Sequence, residues 1–405
     1  MKFFGGLFFR RRANFLIPVA IQLPVLHQLH PMHFHYRHFD PQRLYGIVHL
    51  ALCGLIRKVY FTLPRPNAKP TAKEALAVSS FCAKPACMKR HQIAVLGGSG
   101  FIGRYVVKRL AERGEVLTVG GRHARDAGFL KLKGEVGQVG LVNVAIGADE
   151  AVLRAFVAEK DALVNCAGIL YEHGAQKFDV VHHTAPAKLA RLAREAGVER
   201  LVHLSAIGAD PRSTSAYARS KAAGEQAVKD AFPTATILRP SIVFGPEDDF
   251  FNRFAALATI SPFVPLIGGG ETRFQPIYVG DVASAVIRVL DDPATAGRTY
   301  ELGGPTVYTF RALMELMLTE IKRHRRFIDL PFGLANFQAR LLSLLPKPPL
   351  TPDQVEMLRR DNVVASGALD LRTLGIEPNA VEAILPSYLD RFRRGGWYQR
   401  SRAAA

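Results

Sequence analysis

The sequence predicts an α/β fold, a doubly wound parallel sheet opening near Met88, with a smaller, mainly helical C-terminal lobe behind it. Three observations carry this reading. Short apolar runs rich in β-branched residues alternate with helical stretches, the first run ends in a cluster of glycines, and polar residues suited to meeting a ligand fall at the ends of later runs. Residues 1–87 stand outside the pattern, residues 88–240 carry it, and residues 241–398 form the lobe and return part of their chain to the sheet.

The first strand is Ile93-Ala94-Val95-Leu96, and it feeds directly into Gly97-Gly98-Ser99-Gly100-Phe101-Ile102-Gly103. A helix follows, with Val106, Val107 and Leu110 at helical spacing. Strand, glycine turn and helix in this order are the fingerprint of a Rossmann-type dinucleotide site. The turn needs unusual backbone angles, the chain must approach a diphosphate closely, and the helix start offers free N–H groups to it. Gly97, Gly100, Phe101, Ile102 and Gly103 are therefore the candidate diphosphate cradle.

The second strand, residues 115–119, ends in Gly120-Gly121-Arg122. An acid at this place would hydrogen-bond a ribose 2′-hydroxyl, whereas an arginine pairs with a 2′-phosphate. The sequence thus favours NADP(H), with NAD(H) as the alternative, and Arg122 as first contact, helped by Arg104 or Arg125. Further strands are read at residues 140–144, at Ala162-Leu-Val-Asn-Cys-Ala-Gly168 and, after a helix over residues 186–196 stopped by Gly197, at residues 200–205. In a parallel sheet with right-handed crossovers, ligands gather at the C-terminal strand ends, where Asn165, Gly168 and Ser205 lie. Cys166, in an apolar run, reads as a small buried side chain and not a reactive thiol.

Tyr217-Ala-Arg-Ser-Lys221 opens the next helix, and the spacing of four puts phenol and ammonium on one face. The nearby ammonium is expected to lower the tyrosine pKa toward use as a proton donor and acceptor, and Ser205 to hold a substrate oxygen. In this setting the trio Ser205, Tyr217 and Lys221 resembles the active-site motif of short-chain dehydrogenases/reductases, in their extended and atypical branches. The likeness covers about residues 90–310, including Leu238-Arg-Pro-Ser-Ile-Val-Phe-Gly-Pro246 and Phe274-Gln-Pro-Ile-Tyr-Val-Gly-Asp-Val282. It implies that Tyr217, Lys221 and Pro240 touch the cofactor.

More narrowly, several stretches resemble the alpha-subcomplex subunit 9, or 39 kDa, group of respiratory complex I accessory subunits. They are Gly103-Arg-Tyr-Val-Val107, Gly134-Glu-Val-Gly-Gln138, Lys221-Ala-Ala-Gly-Glu225, Asp230-Ala-Phe-Pro233 and Phe244-Gly-Pro-Glu-Asp-Asp-Phe-Phe-Asn252. That likeness implies NADPH held without turnover, beside the quinone-binding region at the membrane surface, and a link to ubiquinone biosynthesis. Two departures stand out. Val144-Ala145 replaces the acid that many relatives use toward the adenine, and Ser205, Tyr217 and Lys221 are all kept.

In the lobe, a helix is expected near Phe310 after Gly303-Gly304-Pro305, and another at Thr351-Pro352, with Thr351 as N-cap. The apolar, proline-punctuated residues 257–269 read as a loop lining the cleft. Residues 321–345 mix Lys322, Arg323, Arg325, Arg326 and Arg340 with many apolar side chains, which suits a peripheral membrane contact, a partner groove or a core-packed helix with a basic edge.

The net charge of +18 is concentrated in residues 1–87, where 12 Lys/Arg face only Asp40 and Glu74. The remainder is modestly basic and carries no nucleic-acid-binding pattern, so a nucleic-acid partner is not expected. Apolar stretches at residues 15–26 and 44–56 are shorter than the roughly 18 to 20 residues a membrane span needs. His27, His30, His33, His35 and His38 invite a metal, but nothing local converges them, and no metal site is predicted. The leader reads as a poorly structured basic extension of little functional weight. Three of four cysteines lie in it, which is no disulfide framework and fits a reducing compartment. The expected location is cytoplasmic, at the inner face of a respiratory membrane. The leading functional reading is a cofactor-binding accessory protein of complex I or of quinone synthesis. Its rivals are a freestanding NADP-dependent oxidoreductase or epimerase/dehydratase and a sensor of the NADP(H) ratio.

Overall fold

A computed structural model describes residues 90–345 and 348–395. The expectations for the leader, its histidines included, lie outside the described residues. β1 (Gln92–Leu96) is buried along its last four residues, as a strand covered on both faces must be. It leads into α1 (Phe101–Glu112), β2 (Val116–Gly121), β3 (Val139–Asn143), α2 (Glu150–Val157) and β4 (Ala162–Asn165). A π-helical turn, Asp179–Thr184, then runs into α3 (Ala185–Glu195), followed by β5 (Arg200–Leu204), α4 (Ala216–Ala231) and β6 (Thr236–Pro240).

The lobe begins with β7 (Val243–Phe244), α5 (Phe251–Ile260), β8 (Phe263–Ile267), β9 (Arg273–Phe274) and β10 (Ile277–Tyr278). It continues through α6 (Val279–Asp291), β11 (Thr299–Leu302), β12 (Tyr308–Thr309), α7 (Phe310–Glu320), β13 (Arg326–Leu330), α8 (Phe332–Leu342) and α9 (Pro352–Met357). The main sheet has seven strands in the order β11-β6-β5-β4-β1-β2-β3, all paired in parallel. The doubly wound sheet is thus as the sequence predicts.

Strand alternation divides the core. Ile93 and Val95 face α1 and α6, packing with Val106, Leu110, Val282 and Val286, while Ala94 and Leu96 face the other side with Leu153, Leu189 and Val228. The lobe has its own aromatic centre of Phe244, Phe251 and Phe310. α6 packs on the main sheet and β11 joins it, although both follow the first part of the lobe.

Two expectations are corrected here. Residues 257–269 are not a cleft-lining loop, because they form the end of α5 and then β8, which pairs with β13 and buries Val264 and Leu266. Pro265 is tolerated because β8 belongs to a two-stranded ribbon, where one edge needs no donor. Residues 321–345 are not one helix but a turn, β13 and α8. The helix start at Phe310 and the Thr351 cap are present, the latter as a full capping box with Gln354.

Candidate functional site

Leu96 pairs with Gly120 of β2 and Asn165 of β4, so three strand ends open together where the strand order reverses. Gly97 adopts φ +78° and donates to the Gly120 carbonyl at 2.9 Å. Gly103 is the tighter position. A Cβ there would lie 2.2 Å from the Gly97 carbonyl oxygen and 2.6 Å from Gly98 Cα, so only a bare backbone lets α1 start this close to the turn. The first-turn N–H groups of Phe101, Ile102 and Gly103 have no acceptor inside the helix, and the helix dipole adds positive potential at the same spot. Arg104 is tied to the turn itself, donating to the carbonyls of Ser99 and Gly100 at 3.3 Å with Glu247 3.4 Å away. Arg122, directly after β2, is exposed.

The other half of the site is built from β4, β5 and α4. The Ser205 N–H donates to the Leu238 carbonyl at 2.7 Å, while its buried hydroxyl has no partner among the described residues. A buried hydroxyl without a partner is costly unless something else supplies one. Ser215 caps α4 by accepting from the Ala218 N–H at 3.2 Å, which places Tyr217 and Lys221 on the first turns. Lys221 is buried, and its Nζ donates to the Leu204 carbonyl at 3.2 Å. Burial pulls this ammonium down to about 8, with the charge of Glu225 acting against it. A Cβ on Gly168 would lie 3.4 Å from the same Nζ, so Gly168 borders the ammonium closely.

Tyr217 packs edge-on against Phe178 and His182, with ring centroids at 5.9 and 5.3 Å. Its phenol is corrected relative to expectation. Burial, and then the charge of Asp353, push it above its ordinary value, because Lys221 lies 5.9 Å from the ring centroid and does not offset the desolvation of a phenolate. Asn165 does not point outward either. Its amide accepts from the Ala167 N–H and donates to His203 Nδ1, both at 3.1 Å, fixing the turn after β4. Pro240 ends β6, buried, with its carbonyl accepting from Ile207 at 3.0 Å. Cys166 is partly buried, and its thiol is pushed up to about 12 by burial, so it is a neutral thiol as expected.

Sequence reasoning missed three residues. His182, on the π-helical turn, accepts from the Ile169 N–H at 3.0 Å through Nε2 and meets the Ser220 hydroxyl at 2.9 Å through Nδ1. That hydroxyl donates to the Tyr217 carbonyl at 2.7 Å, so His182 carries its proton on Nδ1. Burial, then Lys221, lower its pKa to about 2, which keeps it neutral. His203 is likewise buried and lowered to about 3. Asp353 reaches α4 from the lobe. Among the described residues, no group of three or more His, Cys, Asp or Glu is placed to hold a metal.

The glycine turn follows β1, Ser205 follows β5 and Tyr217 and Lys221 lie on α4, so the fold carries each residue that the likeness to short-chain dehydrogenases singles out. The chain belongs to the NAD dependent epimerase/dehydratase family, whose model matches residues 93–303. It is 37% identical over 314 residues to the Arabidopsis thaliana protein named NADH dehydrogenase (ubiquinone) 1 alpha subcomplex subunit 9, mitochondrial, covering 75% of this chain and 78% of that one. The Mus musculus protein of the same name is 32% identical, with 82% and 92% covered. Among solved structures, DesIV, a dTDP-glucose 4,6-dehydratase from Streptomyces venezuelae with NAD and TYD bound, is similar in fold, with a TM-score of 0.59 at 20% identity over 77% of this chain and 98% of that one.

Proposed function

We propose that the chain binds NADP(H) in preference to NAD(H) and serves as an accessory or assembly protein of the respiratory NADH:ubiquinone oxidoreductase, with quinone-synthesis proteins as the alternative partners. The observation that supports the cofactor is the close-packed turn at Gly97 and Gly103, where a Cβ would strike backbone, Ala167 N at 2.8 Å from the first and the Gly97 carbonyl oxygen at 2.2 Å from the second, so that only glycine lets the free amides of α1 start this close to the strand ends. Gly97, Gly100, Phe101, Ile102 and Gly103 would hold the diphosphate, Arg122 the 2′-phosphate, and Lys221 the nicotinamide ribose. Gly168, Pro240 and Tyr217 would line the nicotinamide half, with Asn165 acting through the turn it fixes. The partner rests on the names of the relatives above. When bound in reduced form the cofactor supplies a hydride, and in this reading the protein keeps that hydride in place.

Native pull-down with release and identification of the bound nucleotide tests ligand and partner together. NADPH recovered with subunits of the oxidoreductase is the expected result. Arg122→Asp is expected to weaken NADPH binding by about 1–3 kcal/mol, that of a charge-assisted pair, while changing NADH binding little. Equal losses for both nucleotides in fluorescence titrations would remove Arg122 from this role.

A second reading is favoured by the preserved Ser205, Tyr217 and Lys221. As a freestanding enzyme, Tyr217 would move the proton, Lys221 would anchor the ribose, Ser205 would hold the reacting oxygen, and hydride would pass between the cofactor and a carbonyl or sugar-nucleotide carbon. Turnover abolished by Tyr217→Phe would establish it in place of the binding role.

The same proposal places the protein at the inner face of the respiratory membrane. No helix among the described residues is long and apolar enough to cross one. α8, however, buries only Ala335 and Ala339, while Leu334, Phe337 and Leu341 are 49%, 59% and 56% exposed along one stripe, near exposed Arg340. A helix that turns its large side chains to solvent beside a basic residue suits the headgroup boundary. Binding to anionic vesicles at low salt, weakened by salt and by Phe337→Glu, is the expected outcome of a flotation assay. No binding at low salt would end the membrane proposal.

A further inference from the structure

We propose that Asp353, on the first turn of α9 in the lobe, is a positioning residue for the Tyr217–Lys221 pair, so that the lobe sets the nicotinamide half of the cofactor site. This rests on the cofactor reading above and adds to it a residue for which the local sequence gives no signal.

The geometry is specific. One oxygen of the Asp353 carboxylate accepts from the Ala216 N–H at 2.7 Å, and the other accepts from the Tyr217 N–H at 3.1 Å and from the Ser215 hydroxyl at 2.8 Å. Ser215 in turn accepts from Ala218, so three successive amides at the start of α4 are satisfied, two of them by a residue more than 130 positions away. An anion at this end of a helix also meets the positive end of its dipole. The serine cap alone would suffice to start the helix. What the carboxylate adds is a fixed link between the residue bearing the phenol and the lobe.

Asp353 is itself held firmly. Thr351 and Gln354 form the capping box of α9, Pro352 restricts the backbone, and Val355 is fully buried. Two neighbouring contacts join the lobe to the loop before α4 without reaching the α4 amides, the Thr214 hydroxyl donating to Glu356 at 2.7 Å and Arg360 pairing with Asp210 at 3.0 Å. Lys221 lies one turn beyond Tyr217 on the helix so tethered, with its Nζ on the Leu204 carbonyl. A small rotation of the first turn of α4 therefore displaces phenol and ammonium together, while the glycine turn at the other end of the site is untouched.

The two halves of the cofactor give a test that a purely structural role does not pass. NADPH engages both, whereas adenosine 2′,5′-bisphosphate carries the adenosine half and lacks the nicotinamide ribose. In the full chain, the near-isosteric Asp353→Asn is expected to weaken NADPH binding about tenfold and leave the bisphosphate affinity within about twofold. In a Lys221→Met background the same substitution is expected to add nothing, since its effect passes through Lys221 and its neighbour. Glu356→Gln, which loosens the lobe contact without touching the α4 amides, is expected to leave both affinities unchanged. Equal losses for both probes, no loss for NADPH, full additivity with Lys221→Met, or the same loss in Glu356→Gln would each overturn the assignment of Asp353. Unmodified protein that binds neither probe would instead remove the cofactor reading, and this inference with it.

Discussion

Gly103→Ala is expected to lower NADPH affinity by about two orders of magnitude or more, and to destabilise the protein by about 1–3 kcal/mol, the usual range for overpacking. The atoms that a new methyl would strike are backbone, the Gly97 carbonyl oxygen at 2.2 Å and Gly98 Cα at 2.6 Å, and no rotamer change can clear them. The start of α1 must instead move away from the turn. In the proposed site, that shift carries the free amides of the first turn out of reach of the diphosphate. The loss in affinity is therefore expected to exceed the loss in stability. Fluorescence titration and urea unfolding of the same preparation measure the two separately, and unchanged affinity would place the diphosphate elsewhere.

Arg239→Met is expected to cost about 3–5 kcal/mol, the penalty for leaving a buried carboxylate without its partner. Glu225 is 3% exposed, and Arg239 reaches it with Nη2 at 2.7 Å and Nε at 2.9 Å while holding Glu301 at 3.3 Å. With the guanidinium gone, Glu225 has Lys221, one turn earlier on α4, as the cation whose pKa it already raises. The damage should thus extend from the core to Lys221 and to the part of the site proposed for it. Unfolding midpoints of Arg239→Met and of a double variant with Glu225→Gln make the check, because neutralising the carboxylate should recover much of the loss. A single variant within about 1 kcal/mol of the parent would show that the pair adds little.

The parts of this architecture that were legible in the sequence are those written in local spacing. The run Ile93 to Leu96, the glycines from Gly97 to Gly103 and the helical spacing of Val106, Val107 and Leu110 report one strand, one turn and one helix without help from distant residues. Ser205 was found for the same reason, as a polar residue ending an apolar run. Residues 257–269 misled because Pro265 marks a loop in most settings, and only its pairing partner β13, some sixty residues later, makes it an edge strand. The phenol of Tyr217 was misjudged because its spacing from Lys221 fixes a helix face but not the burial around it. His182 and Asp353 had no local signature, since each acquires its role from a contact made across the fold.

β11 follows the first part of the lobe in the chain yet completes the main sheet, pairing with β6 through Thr299↔Ile237 and Leu302↔Pro240. During synthesis, the hydrogen-bonding edge of β6 therefore stays open until the ribosome has released the chain beyond Leu302. A nascent chain carrying a naked sheet edge for that long can pair with other strands. Fragments ending between Pro240 and Thr299 should accordingly aggregate or recruit holding chaperones, while release of β11 covers β6 and passes the outer edge to a strand that the later chain meets in turn, the Glu301 N–H donating to the Leu369 carbonyl at 2.8 Å.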